Sequence, residues 1–88
     1  SQTFPLTVNS TFIIGRVSSA DIRITDPSLS RQHARITVRD KCISLKDNGS
    51  YNKTMVNREV IDRATVFPGD LLELGNCTLL VHYNVVKF

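Results

Sequence analysis

The chain has 88 residues, a formal net charge of +3, and 41% hydrophobic and 22% charged residues. This length and this balance predict one small globular domain and exclude an intrinsically disordered chain. Two cysteines are too few for a disulfide-dense secreted scaffold, and apolar runs of at most three residues exclude a membrane-spanning helix. The positive charge is weaker than that of a typical nucleic-acid-binding domain, so neither a nucleic acid nor a membrane is predicted as a partner.

Most predicted elements are strands, because apolar and polar residues alternate with a period of two. The alternation is clearest at residues 22–24, 34–38 and 43–45. No window shows a convincing helical stripe. The segments 71–74 and 78–86 are richer in apolar residues and are predicted to lie centrally in a sheet. In chain order, the predicted strands are 3–8, 11–15, 22–24, 34–38, 43–45, 55–56, 60–61, 71–74 and 78–86.

Turn-forming residues separate these strands and predict an antiparallel sandwich or barrel, with its site on loops at one end. Three loops carry groups suited to a doubly charged anion: Gly15-Arg16, residues 27–33 and residues 47–54. Phosphate favours guanidinium forks, hydroxyl donors and free backbone N–H groups, and these loops supply all three. The turn signals are Asp26-Pro27, Asp47-Asn48-Gly49, Pro68-Gly69-Asp70 and Gly75-Asn76.

A set of short motifs then gives a family resemblance. In order, the chain contains Gly15-Arg16, Ser30-Arg31-Gln32-His33, the stretch 45–57, Pro68-Gly69-Asp70 and Leu74-Gly75. In the order and spacing of these motifs, the sequence resembles the forkhead-associated (FHA) domain from about residue 4 to residue 86. The resemblance implies an all-β sandwich of about eleven mostly antiparallel strands, with residues 1–88 forming a single domain of a larger protein. It also implies a module that binds phosphothreonine in short extended peptides, is not an enzyme and needs no cofactor.

The resemblance implies roles for particular residues. Arg16 and Ser30 contact the phosphate, Arg31 adds backbone or side-chain contacts, and Asn52 holds the peptide backbone beside the phosphothreonine. Because hydrogen bonds to charged groups contribute about 1.5–3 kcal/mol each, loss of Arg16 is expected to weaken binding about ten- to a hundredfold. Four further residues are implied to shape loops and turns: Gly15, His33, Asn57 and Asp70.

The third loop departs from the family pattern at Tyr51 and Lys53. By their positions in the family pattern, both residues are also expected to contact the phosphopeptide. Tyr51 stands where a threonine often contacts the phosphate, and its hydroxyl either swings away or stacks on the peptide. Lys53 and Arg58 stand where glycine is common. Lys53 either adopts a positive φ at a cost of about 1 kcal/mol, or the turn is rebuilt around Asn48-Gly49. Its charge would also lie beside the phosphate.

These observations support a phosphothreonine-dependent interaction module in signalling, for example in DNA-damage or cell-cycle control. The substitutions at Tyr51 and Lys53 keep a second hypothesis open, in which the scaffold mediates phospho-independent interaction or homodimerisation. Oligomerisation is otherwise not indicated. A third hypothesis is nucleic-acid binding through basic residues, and it is disfavoured because those segments lack interleaved aromatic residues. The basic residues concerned are Arg16, Arg31, Arg35 and Arg39.

Cysteine and histidine usage bears on metal binding and location. No metal site is predicted, because His82 is the only histidine besides His33, and Cys42 and Cys77 lack ligand spacing. Both cysteines are predicted to be buried free thiols. Threonine kinases act inside cells, so an intracellular, nuclear location is expected, although four Asn-x-Ser/Thr sequons point weakly towards secretion. The sequons begin at Asn9, Asn48, Asn52 and Asn76.

Overall fold

The computed structural model describes residues 2–88, and in this part of the chain it contains eleven strands and no helix. The strands form a six-stranded sheet with the order β1-β11-β10-β9-β6-β7 and a five-stranded sheet with the order β3-β2-β4-β5-β8. All pairs are antiparallel except the parallel pair β2–β3. The strands are β1 Thr3–Pro5, β2 Ser10–Gly15, β3 Ile22–Arg23, β4 Ala34–Val38, β5 Ile43–Asp47, β6 Thr54–Val56, β7 Glu59–Ile61, β8 Arg63–Val66, β9 Leu71–Leu74, β10 Cys77–His82 and β11 Val85–Lys87.

One hydrophobic core lies between the two sheets. In β4, Ala34, Ile36 and Val38 are buried, while Arg35 is exposed, as the period of two requires. The six-stranded sheet contributes Leu72 and others of its buried strand residues to the same cluster. The strands β9 and β10 occupy the middle of that sheet, as predicted. The fold therefore confirms the predicted sandwich of about eleven mostly antiparallel strands.

Several strand boundaries differ from the prediction. The segment 78–86 forms two strands, because Asn84 adopts a φ of 61° and reverses the chain between β10 and β11. Asparagine tolerates the left-handed region, so this turn has a local cause. The first strand ends at Pro5, and Leu6 then donates its N–H to the Asn84 carbonyl. The strand β8 was not predicted.

The prediction of two buried cysteines is correct for Cys77 and wrong for Cys42. Cys77 begins the central strand β10, and its side chain is 4% exposed. Cys42 is exposed, because it lies in the turn between β4 and β5 instead of on the buried face of a strand. Both are free thiols.

The register of the five-stranded sheet brings the three candidate loops to one end. Ala34, the first residue of β4, pairs with Ile14 on one side and with Asp47 on the other. Three loops therefore leave the sheet at the same end, namely the loops after β2 and β5 and the loop before β4. We call this end of the sandwich the loop pole. Within residues 2–88, no helix is long and apolar enough to cross a membrane.

Candidate functional site

Gly15 allows the first and second loops to approach each other closely. A Cβ atom at this position would overlap the carbonyl oxygen of Arg31 and lie 2.8 Å from its carbonyl carbon. This approach lets the Arg16 N–H donate to the Ser30 carbonyl at 3.2 Å, and the Val17 N–H donate to the Arg31 carbonyl at 3.1 Å. The glycine therefore sets the distance between the two loops.

The Arg16 side chain is anchored near its base and free at its tip. Its Nε donates to the Leu29 carbonyl at 3.0 Å, and the residue is exposed. No hydrogen bond within residues 2–88 uses the two terminal guanidinium nitrogens. An oriented guanidinium with free terminal donors is suited to bidentate binding of an oxyanion.

Ser30 lies at the junction of all three loops. Its carbonyl accepts from Arg16, and its Oγ accepts from the Tyr51 N–H at 3.0 Å. A hydroxyl also carries one donor, which these contacts leave available to an anion. The arrangement places a hydroxyl donor next to the root of the Arg16 side chain. Arg31 follows with an exposed side chain.

His33 connects the second loop to the third and is fully buried. Its Nδ1 accepts the Ser30 N–H at 3.0 Å, so the proton of the neutral ring lies on Nε2. That nitrogen donates to the Lys53 carbonyl at 2.8 Å. The buried ring therefore joins the Ser30 N–H of the second loop to the Lys53 carbonyl of the third.

Asp47 organises the third loop, and it is a residue that sequence reasoning did not select for the site. Its carboxylate accepts the Ser50 hydroxyl, the Ser50 N–H at 3.0 Å and the Thr54 hydroxyl at 2.7 Å. Burial by itself raises the pKa of Asp47, but these hydrogen bonds outweigh it and hold the pKa below its ordinary value. The signal in the sequence was the turn pattern Asp47-Asn48-Gly49, because aspartate side chains in turns often accept hydrogen bonds from nearby backbone.

Two asparagines tie the third loop to the second. Asn52 donates from Nδ2 to the Ser28 carbonyl at 2.8 Å. Asn48 donates its backbone N–H to the His33 carbonyl at 2.9 Å and its side-chain amide to the Gln32 carbonyl at 3.3 Å. Asn52 is exposed, and its amide oxygen accepts no hydrogen bond from residues 2–88. That oxygen is available to a peptide N–H.

The two residues that depart from the family pattern are both exposed. The Tyr51 side chain is 89% exposed, and its hydroxyl makes no hydrogen bond within residues 2–88, whereas its backbone N–H is held by Ser30. Lys53 adopts a φ of 69°, so the turn keeps the conformation that glycine usually supplies. Gly49 also has a positive φ, of 68°, but this does not replace the positive φ of Lys53, so the turn is not rebuilt around Asn48-Gly49. The strain costs about 1 kcal/mol.

A fourth segment, the turn between β9 and β10, supports the second loop from behind, and sequence reasoning did not assign it this role. Gly75 has a φ of 58°, and a Cβ there would lie 2.5 Å from the Ser28 carbonyl oxygen. The Asn76 N–H donates to the Ser28 hydroxyl oxygen at 2.8 Å, and that hydroxyl donates to Asp26 at 2.6 Å. Hydrogen bonds from the side chain and backbone of Ser28 lower the pKa of Asp26.

The pKa of the Cys77 thiol is raised, mainly by burial and secondly by the nearby charge of Asp26.

Asn57 and Asp70 lie outside the three loops and hold two turns together. Asn57 donates from Nδ2 to Asp70 at 3.0 Å, and its Oδ1 accepts the Leu71 N–H at 3.0 Å. Asp70 also accepts the Phe67 N–H at 2.8 Å. Arg58, next to Asn57, has a φ of 72° and forms a salt bridge with Glu73 at 3.2 Å.

The loop pole presents donors on an open surface. A cavity of about 360 Å³ lies at the opposite pole, where Val8, Arg39, Phe67 and Tyr83 are among its lining residues, and none of the predicted site residues lines it. In residues 2–88, no group of three His, Cys, Asp or Glu side chains could hold a metal ion. An open surface with a guanidinium, a hydroxyl and two amides suits an extended anionic chain better than an enclosed small molecule.

Comparisons with known proteins agree with this geometry. The glycogen accumulation regulator GarA of Mycobacterium tuberculosis is 36% identical over 66 residues, which make up 75% of this chain and 41% of GarA. The FHA domain of FhaA, solved in complex with the intracellular domain of Rv3910, is 30% identical with a TM-score of 0.85. That alignment covers 90% of this chain and 86% of the FhaA chain.

A structure from a study of phosphothreonine-dependent FHA domain interactions is 28% identical with a TM-score of 0.81, covering 93% of this chain and 80% of the other. The chain spans less than half the length of GarA, so the similarity concerns a domain and not the whole regulator. The family model named FHA domain matches residues 12–75, which include all three loops of the loop pole. The chain therefore belongs to the FHA domain family.

Proposed function

We propose that this domain binds phosphothreonine in an extended segment of a partner protein and thereby mediates protein–protein interaction in signalling. The observation that carries the proposal is the junction at Ser30, whose carbonyl accepts the Arg16 N–H and whose hydroxyl oxygen accepts the Tyr51 N–H. The free guanidinium tip of Arg16 and the donor of Ser30 supply the contacts that a phosphate dianion needs. Asn52 adds an amide for the peptide backbone.

In this proposal the domain acts by binding and not by catalysis. Arg31 and Lys53 add positive charge around the phosphate, while Gly15 and His33 hold the loops in place. Asn57 and Asp70 act at a distance, by fixing turns of the scaffold. The expected partner is a protein phosphorylated on threonine, met in an intracellular setting. The nuclear location and the roles in DNA-damage or cell-cycle control gain no support from GarA, a mycobacterial protein, and stay predictions.

The test is a titration of fluorescently labelled peptides that differ only in phosphorylation of one threonine. The wild-type domain is expected to bind the phosphorylated form and not the unphosphorylated form. Arg16→Ala is expected to weaken binding about ten- to a hundredfold, and Arg39→Ala at the opposite pole serves as the matched control. Equal binding of both peptide forms, or equal effects of the two variants, would contradict the proposal.

A second candidate function is phospho-independent association, and the exposed ring of Tyr51 favours it. Large exposed aromatic side chains are frequent anchors of protein interfaces. Sedimentation at rising protein concentration separates the two functions. A complex that survives Arg16→Ala but dissociates with Tyr51→Ser would support the second candidate, whereas sensitivity to phosphatase would support the first.

A further inference from the structure

The cavity opposite the loop pole lies where the two sheets end. Ile43 pairs with Val38 on one side and with Val66 on the other, so these residues form the last row of β4, β5 and β8. Val38 and Val66 are buried members of the hydrophobic core, and all three residues line the cavity of about 360 Å³. The turns β4–β5, β8–β9 and β10–β11 form most of the remaining wall. We call it the core-end cavity, because its floor is the end of the hydrophobic core.

Exposed apolar side chains gather around the core-end cavity. Of the seven large hydrophobic residues that are exposed in residues 2–88, three line this cavity, and each of the three is more than half exposed. They are Val8, Phe67 and Tyr83. Scattered exposed apolar residues are ordinary, whereas apolar side chains grouped around an apolar floor are typical of an interaction site. A volume near the lower end of the range for binding pockets, about 300–1,000 Å³, suits a side chain of a partner better than a large cofactor.

The polar groups of the core-end cavity are mostly unused hydrogen-bond donors. Arg39 and Lys41 are exposed, and in the described part of the chain neither forms a salt bridge with Asp40, the one carboxylate in the lining. Within residues 2–88, the side chains of Lys41 and His82 form no hydrogen bond, and that of Arg39 forms one, to the Val38 carbonyl at 3.4 Å. Counting Asp40 against the two cations leaves one positive charge with His82 neutral. These groups suit a partner that brings carboxylate acceptors.

The carboxylate of the adjacent β8–β9 turn is already engaged. Asp70 follows Phe67 by three positions, does not line the cavity, and accepts the Asn57 side-chain amide and the Phe67 N–H. Within residues 2–88 it forms no salt bridge with Arg39 or Lys41, so their charges stay available to a partner.

We infer that the core-end cavity docks an acidic segment of a partner protein through one apolar side chain, without any need for phosphorylation. The apolar side chain covers the floor and packs between Phe67 and Tyr83 at the rim. An aspartate or glutamate beside it contacts Arg39 and Lys41. This site goes beyond the proposed function, because none of the residues predicted to bind the phosphopeptide lines the cavity.

The experiment uses unphosphorylated peptides in which one tryptophan is flanked by aspartates in a glycine–serine background. The chain contains no tryptophan, so the fluorescence of the peptide reports binding directly. One matched peptide carries lysines in place of the aspartates, and another carries serine in place of the tryptophan. The lysine peptide is expected to bind about three- to tenfold more weakly, and the serine peptide, measured by competition, is expected not to bind.

Cys42 shows whether the peptide occupies this cavity. It lines the cavity and is exposed, whereas Cys77 is buried. At a peptide concentration of about ten times Kd, alkylation of Cys42 by iodoacetamide is expected to slow about tenfold, because about nine-tenths of the domain is then occupied. Mass spectrometry of the digested protein measures the rate at each cysteine.

Two pairs of variants give matched controls. Tyr83→Ser removes part of the rim and is expected to weaken binding about fivefold or more, whereas Tyr51→Ser makes the same change at the loop pole and is expected to keep the wild-type affinity. Lys41→Glu is expected to weaken binding about three- to tenfold, whereas Lys53→Glu is expected to keep the wild-type affinity. All four residues are exposed, so the Tm is expected to change little.

Three results would overturn the inference. The first is that no tryptophan–aspartate peptide binds, or that one binds and leaves the alkylation rate of Cys42 unchanged. The second is an equal loss in Lys41→Glu and Lys53→Glu, which would show that an acidic peptide contacts the cations of the domain without preference. The third is self-association in sedimentation without peptide that Tyr83→Ser abolishes, which would identify a second copy as the occupant. Because these peptides carry no phosphate, each of these results leaves the proposed function standing.

Discussion

At the scale of single residues, His33 joins the second loop to the third through one buried ring. Its ring satisfies the Ser30 N–H and the Lys53 carbonyl at once, and it is fully buried. Because an unsatisfied buried polar group costs about 1–3 kcal/mol, His33→Ala is expected to lower the free energy of unfolding by about 2–5 kcal/mol. Urea denaturation measures this change. The exposed His82 offers the control, since His82→Ala should shift the midpoint little, and similar losses in the two variants would contradict the assigned role.

The lowered pKa of Asp47 predicts that the domain loses stability in acid. Its folded-state pKa lies below its ordinary value, so the unfolded chain binds the proton more readily. The stabilisation is present above about pH 4 and is lost as the pH falls through the lower folded-state pKa. Asp26, whose pKa is also lowered, acts in the same direction. Urea denaturation between pH 6 and pH 2 is expected to show a steeper loss for the wild type than for Asp47→Asn. Parallel curves would show that Asp47 does not contribute.

The sequence suggests which residues could contact an anion, but it does not show the hydrogen bonds that hold these residues in place. Arg16 and Ser30 could be selected because their motif and residue types point to an anion. Asp47 was read only as a turn residue, since nothing in a linear pattern shows that one carboxylate receives three hydrogen bonds. The choice between a strained Lys53 and a rebuilt turn was also open. It depends on the hydrogen bond between the Lys53 carbonyl and His33, which lies 20 positions earlier in the chain.

At the scale of elements, the close approach of the first two loops depends on the missing side chain of Gly15. In Gly15→Ala the new Cβ would overlap the Arg31 carbonyl, and the clash involves backbone that cannot rotate away. Overpacking of this kind costs about 1–3 kcal/mol, and it should also weaken phosphopeptide binding by separating Arg16 from Ser30.

Gly49→Ala provides the matched control for that substitution. Gly49 has a φ of 68°, and nothing lies within 4 Å of the position of its Cβ, so alanine there adds strain without a clash. Both variants are expected to lower the free energy of unfolding in urea, whereas Gly15→Ala alone is expected to shift the amide resonances of residues 30–32. Shifts of those resonances in both variants would show that the contact at Gly15 is not specific.

The strands themselves were largely predictable, and the exceptions have physical causes. Alternation identified β4 and β5, because each buries one face of a half-covered sheet. The sequence pattern did not divide residues 78–86 into two strands, because apolar residues lie on both sides of the turn and its only local signal is Asn84. It also missed β8, because in Arg63–Val66 only Val66 is buried and an edge strand carries a weak pattern.

At the scale of the whole molecule, the placement of charge matters more than the net charge of +3. Arg16, Arg31 and Lys53 lie at the loop pole, while Arg39 and Lys41 line the cavity at the other pole. The domain measures 32 × 26 × 23 Å, and β4, which separates Arg39 from the second loop, is about 13 Å long by the rise of a strand. At physiological ionic strength the Debye length is about 8 Å, so the cations at the far pole are screened from a phosphate at the loop pole.

This geometry predicts how phosphopeptide binding depends on salt. Raising NaCl from 50 to 500 mM is expected to weaken binding about three- to tenfold, because exposed cations contribute much of the attraction. Arg16→Ala should flatten the dependence of log Kd on log salt, since it removes one of those cations. Lys41→Ala should keep the wild-type slope, because its charge lies beyond the screening distance. If Lys41→Ala flattened the slope as much as Arg16→Ala, the peptide would have to contact both poles, and recognition would not be confined to the three loops.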